Sequence, residues 1–280
     1  MLRKGMYLLF RKQFVPRIKR CKFFERMFPL VRGDIGGQSR IHTFLAKQAL
    51  NDSDYEIYPR PGGSIVDEDW DNLIILDACR YDLYNEMFGC EKRISRGTTT
   101  SEWLRMNFKD FYDITYISSN PHISDRKLDD FRGTDHFSHV ENVWDHGWNY
   151  ELNTVLPEKI TKSAIELNES SDGRMIIHYM QPHQPFVGDY RLDYPGKDNP
   201  AKTVFDAFVL GEISREDMWK AYRSNLRYVK VEIDRLLDNL EGTTVLTADH
   251  GNAFGPLFYA HPPGIRIREL VEVPLKIFKG

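Results

Sequence analysis

The chain has 280 residues, 41% of them hydrophobic and 13% aromatic, which is enough for one sizeable core and excludes a disordered polypeptide. A net charge of −3 gives no general attraction to nucleic acid, so none is expected as a partner. Three cysteines, Cys21, Cys79 and Cys90, make neither an even disulfide framework nor a zinc spacing and favour a reducing compartment. No run reaches the ~20 apolar residues of a membrane-spanning helix.

The first 32 residues differ from the rest. Ten Lys or Arg against one acidic residue give a local +9, which leaves −12 on the other 248. Aromatic and aliphatic residues are interleaved with the basic ones, and Phe10, Phe14 and Ile18 fall on one helical face, with a break expected at Pro16. Such an arm either lies on an anionic membrane surface or packs on its own acidic domain. Its apolar run Met6–Phe10 is too short for a signal-peptide core, so the expected location is cytoplasmic, with possible peripheral membrane contact through residues 1–32. Asn51–Gly63 reads as a linker, closing a region of arm and linker over residues 1–65 ahead of a domain over 66–280.

Leu73–Leu76 is apolar without alternation, as in a strand buried on both faces of a parallel sheet, and it ends in Asp77. Tyr81–Phe88 reads as a helix stopped by Gly89, with Arg80 just ahead of it, able either to meet an anion or to pair with Asp82 or Glu86. The hydroxyl cluster Thr98-Thr99-Thr100-Ser101 opens a helix running to Phe108. Hydroxyls there cap the helix, and the same helix start directs backbone N–H groups at any bound anion.

Ile114–Ile117 is a further short strand, ending in Ser118-Ser119-Asn120-Pro121-His122. Asp135–Trp148, rich in His and Trp, shows no period and reads as a surface excursion or site rim. Pro157–Leu167 is helical, with proline in its first turn. Met175–Met180 is another buried strand, running into Gln181-Pro182-His183-Gln184-Pro185-Phe186, where two prolines stiffen the backbone around His183. Ser214–Leu240 carries an apolar 3–4 repeat and a capping pair, Ser214 with Asp217, as in a crossover helix. It feeds the strand Thr243–Thr247, which delivers Asp249-His250-Gly251. Tyr259-Ala260-His261 and a last strand, Val273–Phe278, follow.

Strands alternating with helices define an α/β fold with a mostly parallel sheet sandwiched by helices, preceded by the basic amphipathic arm. In such sheets the strand ends share one edge, so Asp77, Asn120/His122, His183 and Asp249/His250 converge.

In these motifs the chain resembles the alkaline phosphatase/sulfatase superfamily, and within it the compact sulfatase-like proteins. The residues that carry the likeness are Leu73–Asp77, the threonines before Trp103, Gln181–Phe186, Asp249-His250-Gly251, and His261 followed by Val273-Pro274-Leu275. The resemblance implies that Asp77, Asp249 and His250 bind one divalent metal (Mn, Zn, Mg or Ca) with the oxygen of the nucleophile beside it. It makes Thr100 that nucleophile, ahead of Thr99 and Thr98, and has His183 and His261 contact the transferred group or protonate the leaving group. Arg80 and Asn120 are the substrate-binding candidates.

The implied activity is metal-dependent hydrolysis or transfer of phosphate esters, on a cell-surface glycan or a lipid-linked headgroup. The chemistry is coherent in itself, because a cation activates a threonine hydroxyl and neutralises the anion it attacks. None of the cysteines has the formylglycine pattern of ordinary sulfatases, so a sulfatase reading would need another nucleophile. A non-catalytic protein binding anionic glycan or lipid is the remaining alternative. A second metal would need an Asp-x-x-x-His pair near His183. Asp135 and His139 have that spacing but precede the Met175–Met180 strand, so one metal is expected.

Overall fold

The structure, a computed structural model, describes residues 55–126, 130–169, 173–192, 203–209, 211–255 and 258–280. The basic arm of residues 1–32 and the first part of the expected linker lie outside them.

In chain order the elements are β1 (Asn72–Leu76), α1 (Tyr81–Phe88), β2 (Glu91–Ile94), α2 (Thr100–Asn107), β3 (Tyr112–Ser118), β4 (Phe137–Asn142) and α3 (Val143–Gly147). There follow β5 (Trp148–Asn149), β6 (Thr154–Val155), α4 (Pro157–Asn168), β7 (Arg174–Tyr179), α5 (Val204–Val209) and α6 (Arg215–Leu237). The chain ends with β8 (Thr243–Thr247), β9 (Ala253–Phe254), β10 (Tyr259–Ala260), α7 (Arg268–Val271) and β11 (Glu272–Lys279).

Seven strands form one sheet in the order β2-β11-β8-β1-β7-β3-β4. The five from β8 to β4 are parallel, while β11 at the other side runs antiparallel to both its neighbours, β8 and the edge strand β2. Every residue of β1 is buried, which is why its sequence is a continuous apolar run. Leu73 and Ile75 pack with Trp103, Leu104 and Phe108 of the α2 side. Ile74 and Leu76 pack with Ile160 and Ala164 of α4 and with Met218, Tyr222 and Leu226 of α6. The two sides of the sheet are thus covered by different helices, as expected for the α/β class. Each fully buried large side chain contributes about 1.5–3 kcal/mol of hydrophobic stabilisation.

The helix expected over Ser214–Leu240 is α6. Ser214 caps it, its Oγ accepting the Asp217 N–H at 3.0 Å, and Met218, Tyr222, Leu226, Val229, Ile233 and Leu236 are all buried. Three departures have clear causes. Asp135–Trp148 is not an excursion: it holds β4, which pairs with β3 alone at the sheet edge, and then α3. An edge strand with a wet outer side needs no apolar alternation, so its pattern is hidden. β2 pairs with β11 through charged residues and gave no strand signal either. The expected linker is, from Tyr55 onward, bound to the domain: Ile57 bridges Ile267, Tyr58 N–H donates to the Arg266 carbonyl at 2.8 Å, and Tyr55 meets Phe258 edge-on. Proline and glycine prevent regular structure there but not an extended chain laid along a neighbour.

The register brings the strand ends level. Leu76 pairs with Tyr179, Ile75 with Thr247, and Ser118 with His178. The residues that follow these ends, Asp77, Asn120, His183 and Asp249, therefore leave the sheet along one edge.

Candidate metal site

Asp77, Asp249 and His250 are buried and place ligand atoms within 4.8 Å of one another. Among the described residues they are the one such group of acidic, imidazole or thiol side chains. His250 Nε2 lies 3.4 Å from Asp249 Oδ2 and 3.7 Å from Asp77 Oδ1. Its Nδ1 is 2.8 Å from the Gly251 carbonyl, which can only accept, so Nδ1 carries the proton and Nε2 turns a lone pair toward the two carboxylates. A lone pair and two carboxylates facing one point repel until a cation stands between them. The donor set, two hard oxygens and one imidazole nitrogen, fits a divalent metal.

The titration directions say the same. Burial pushes Asp77 well above the usual carboxylate range and the Asp249 charge adds to it, against the pull of the Asn120 hydrogen bond. Burial also pushes Asp249 upward, but His250, His178 and the hydrogen bonds from Thr100 and the Ala78 N–H outweigh it and hold Asp249 down. Asp249 is the standing anion of the pair.

The backbone is shaped to hold this pair. Asp249 Oδ1 accepts the N–H groups of Ala78 (3.1 Å) and His250 (2.9 Å), leaving Oδ2 for the site. Ala78, directly after Asp77, sits at φ 57, and Ala260, directly before His261, at φ 56. A left-handed alanine costs ~1 kcal/mol or more, so strain is stored on both sides of the site. Gly251 is required by close approach, since a Cβ there would lie 2.1 Å from the Glu269 carbonyl oxygen.

Of the three threonines, only Thr100 faces the carboxylates. Thr98 gives its N–H and O–H to Glu102 Oε2 at 3.0 and 2.8 Å, and Thr99 caps α2, accepting the Glu102 N–H at 3.2 Å. Thr100, buried in the first turn of α2, donates to Asp249 Oδ2 at 2.7 Å and stands 3.5 Å from His250 Nε2. Asn120 donates to Asp77 Oδ2 at 2.7 Å and reaches Thr100 Oγ1 at 3.4 Å.

His183 and His261 are also together, Nε2 to Nε2 at 3.1 Å, and the His261 ring is 4.5 Å from that of His250. His183 Nδ1 donates to the Gln184 carbonyl. Its Nε2 is then an acceptor, and His261 supplies the proton between them. Burial pushes His183 down to about 4 and His261 well below its ordinary value, so both are neutral near pH 7. Arg80 spends its donors elsewhere: Nε and one terminal nitrogen on Asp82, the other on the Asn252 carbonyl at 3.2 Å, with the guanidinium over Trp219. Asp135 precedes the sheet-edge strand β4 and His139 lies within it, 3.9 Å from Glu141.

Four further groups belong to the surroundings of the site, of which only His122 was read from the sequence as a strand-end residue. Asn252 is 0% exposed, and neither end of its amide has a partner among the described residues. The β9–β10 register, Ala253 opposite Ala260, sets it across from His261, whose Nδ1 is also unpartnered. Buried polar atoms of this kind call for a polar ligand. His178, in the interior of β7, lies 3.9 Å from Asp249 Oδ2 and 2.8 Å from the Tyr116 hydroxyl. His122 is 3.1 Å from Ser101 Oγ.

The fourth is Asn225 of α6, fully buried. It accepts the N–H groups of Val187 and Gly188 at 2.8 and 3.2 Å and donates to the carbonyls of Pro182, His183 and Pro185 at 3.2, 2.9 and 3.2 Å. One amide thus fastens the whole His183 loop. Its signal was a polar residue on the buried stripe, one place before Leu226. Asn225→Leu should keep the shape and remove these bonds, at about 1–3 kcal/mol for each buried group left unmade. The expected loss, ~3 kcal/mol or more, would appear as a lower chemical-denaturation midpoint at unchanged slope.

Acids, imidazoles and a hydroxyl thus gather at the carboxyl ends of a mostly parallel sheet covered by helices, a fold that solved structures share. No family model matches the chain, and no curated protein matches it. Among solved structures it is similar to the soluble domain of lipooligosaccharide phosphoethanolamine transferase A from Neisseria meningitidis, at 16% identity, TM-score 0.50 and 80% coverage of each chain. The integral membrane form of that transferase superposes with a TM-score of 0.53 at 16% identity, over 98% of this chain and 59% of that one. These likenesses are of fold.

Proposed function

We propose that the chain is a metal-dependent phosphoester hydrolase or phosphotransferase that works through a covalent intermediate on Thr100. The observation that carries this reading is the position of Thr100 Oγ1, hydrogen-bonded to Asp249 and next to His250 and Asn120, at the start of a helix. Asp77, Asp249 and His250 would hold the metal, with Thr100 beside it. Zn²⁺ and Mn²⁺ suit a mixed oxygen and nitrogen donor set best. When bound, the metal supplies positive charge that lowers the pKa of the nucleophile and offsets that of the substrate. The chain's own residues do the rest. The first turn of α2 would direct N–H groups at the phosphoryl oxygens and Asn120 would offer its amide, with the neutral His183–His261 pair packed beside His250.

The name of the similar fold, a lipooligosaccharide phosphoethanolamine transferase, supports transfer of a phosphodiester-linked headgroup to or from a lipid-linked glycan. The basic, aromatic arm of residues 1–32 would hold the chain at an anionic surface where such substrates lie. Vesicles containing phosphatidylserine should then pellet the full-length protein while neutral vesicles leave it in the supernatant; equal recovery would remove the membrane from the proposal. The activity itself is tested with nitrophenyl phosphate mono- and diesters and the matching sulfate ester, with Zn²⁺ or Mn²⁺ added. Turnover of the phosphate esters, together with a phosphoryl adduct on a peptide containing Thr100, is expected. Turnover of the sulfate ester alone would favour the sulfatase reading.

A further inference from the structure

A metal ligand binds well only where its backbone holds it, and Asp77 sits on an unusual piece of backbone. It is the second residue of the turn from Leu76 to Cys79, closed by the Cys79 N–H on the Leu76 carbonyl at 3.3 Å. The third residue, Ala78, takes φ 57, a region that glycine enters freely and alanine does not. A relaxed turn, with Ala78 at negative φ, would redirect the peptides on either side of it. The aim of the Asp77 carboxylate would change, and so would that of the Ala78 N–H, which Asp249 Oδ1 accepts at 3.1 Å.

The sheet side of the turn is fixed by its neighbours. Asp77 N–H donates to the Tyr179 carbonyl at 3.0 Å, and the Asp77 carbonyl accepts the His183 N–H at 3.1 Å. The far side is held by one atom. The hydroxyl of Tyr222 donates to the Ala78 carbonyl and accepts the Arg80 N–H at 3.0 Å. Tyr222 is fully buried on the inward stripe of α6, 144 positions along the chain from Ala78. Its ring packs against Trp219, Phe186 and Phe254, with centroids 5.9, 6.4 and 5.2 Å away. A ring gripped in this way keeps its hydroxyl at the turn. The stripe itself asks only for an apolar ring, which phenylalanine would supply, so the hydroxyl needs another reason. Tyr84 of the same core gives the contrast, because its buried hydroxyl has no partner among the described residues.

We propose that Tyr222 is a positioning residue for the metal site, its hydroxyl holding Ala78 in the left-handed conformation that aims Asp77 toward Asp249 and His250. This rests on the reading of those three residues as metal ligands and is independent of the nucleophile. Tyr222 acts through the peptide that follows Asp77 rather than on a ligand atom. An outer partner of this kind is worth about 10–100-fold in metal affinity.

The test is the Zn²⁺ dissociation constant of the full-length protein, measured by competition with a chromophoric chelator in a double-mutant cycle. Tyr222→Phe should weaken binding by about 10–100-fold. Ala78→Gly alone should change it by less than about 3-fold, because the conformation it eases is already held. In the Tyr222→Phe background the same substitution should regain about tenfold, because a glycine turn needs no brace. A packing role for Tyr222 would give no such rescue. Tyr84→Phe, which deletes the partnerless hydroxyl, should stay within about 2-fold of the unaltered protein. If Tyr222→Phe folds poorly, the double variant decides: Zn²⁺ binding within about 10-fold of the unaltered protein supports the brace, and no binding overturns it. Undiminished affinity in Tyr222→Phe, a glycine effect of equal size in both backgrounds, or an equal loss in Tyr84→Phe would also overturn the assignment. Failure of the unaltered protein to take up Zn²⁺ would instead overturn the metal reading, and this inference with it.

Discussion

Thr100→Ala should abolish the covalent phosphoryl adduct and lower kcat/KM at least about 10³-fold, or ~4 kcal/mol in barrier. The reason is positional. Of the three consecutive threonines, Thr98 and Thr99 are bound to Glu102, and only Thr100 turns its oxygen to the carboxylates. Thr98→Ala and Thr99→Ala should act chiefly on stability, by about 0.5–2 kcal/mol through lost capping. Thr100→Ser keeps the oxygen in place and should retain activity within about 100-fold of the unaltered protein. Thr100 lies past the N-cap, so its alanine variant should remain folded, losing only ~1–2 kcal/mol for one hydrogen bond to a charged group. Mass spectrometry of the trapped adduct, steady-state kinetics and thermal melting read these three effects separately. Full turnover by Thr100→Ala would refute the nucleophile.

Metal binding and Asp77 give the second large effect. With metal at about 100 times its dissociation constant the protein gains ~2.7 kcal/mol, an upward shift of roughly 5–10 °C for a chain of this size. Asp77→Asn should remove most of that gain. In the metal-free protein the same substitution should stabilise, by about 1–4 kcal/mol near neutral pH, because it removes a buried carboxylate facing Asp249.

The pH dependence has a definite sign. The folded state holds the Asp77 proton more tightly than the unfolded chain does. Stability from this residue is therefore present at low pH and lost as pH rises above the ordinary carboxylate range. Asp249 is shifted the opposite way, so its contribution is lost only as pH falls below that range. His178 and His183, both pushed from 6.5 to about 4, and His261, shifted in the same direction, make the metal-free protein gain stability as pH rises from about 4 to 6.5. Three histidines outweigh one aspartate, so the net slope in that window is upward. The advantage of Asp77→Asn over the unaltered protein should grow by up to ~1.4 kcal/mol per pH unit above pH 4. Denaturation of both proteins in chelator from pH 4 to 8 measures it. A difference that stays constant with pH would contradict a shifted Asp77.

Much of this protein was legible in its residues. The apolar run of β1 announced a strand buried on both faces, and the repeat from Met218 to Leu236 announced α6, because burial on two faces and on one stripe leave different periods. Asp77, Thr100, Asn120, His183, Asp249, His250 and His261 all lie at ends of such elements, and open α/β sheets align those ends. β2 and β4 were not legible, since edge strands carry charged residues that show no pattern. In the described part of the expected linker, composition excluded helix and strand but said nothing of what the extended chain from Tyr55 would lie against.

Asp249-His250-Gly251 shows where local sequence stops. By itself it fixed a strand, an exit and two metal-type side chains, because those depend on neighbours in the chain. Which threonine meets Asp249, why Gly251 tolerates no side chain, and how Asn225 holds His183 were decided by contacts between residues 18 to 149 positions apart. Such contacts exist only once the sheet has aligned its strand ends. The residue types determined the chemistry available, and the tertiary structure decided which atoms face one another.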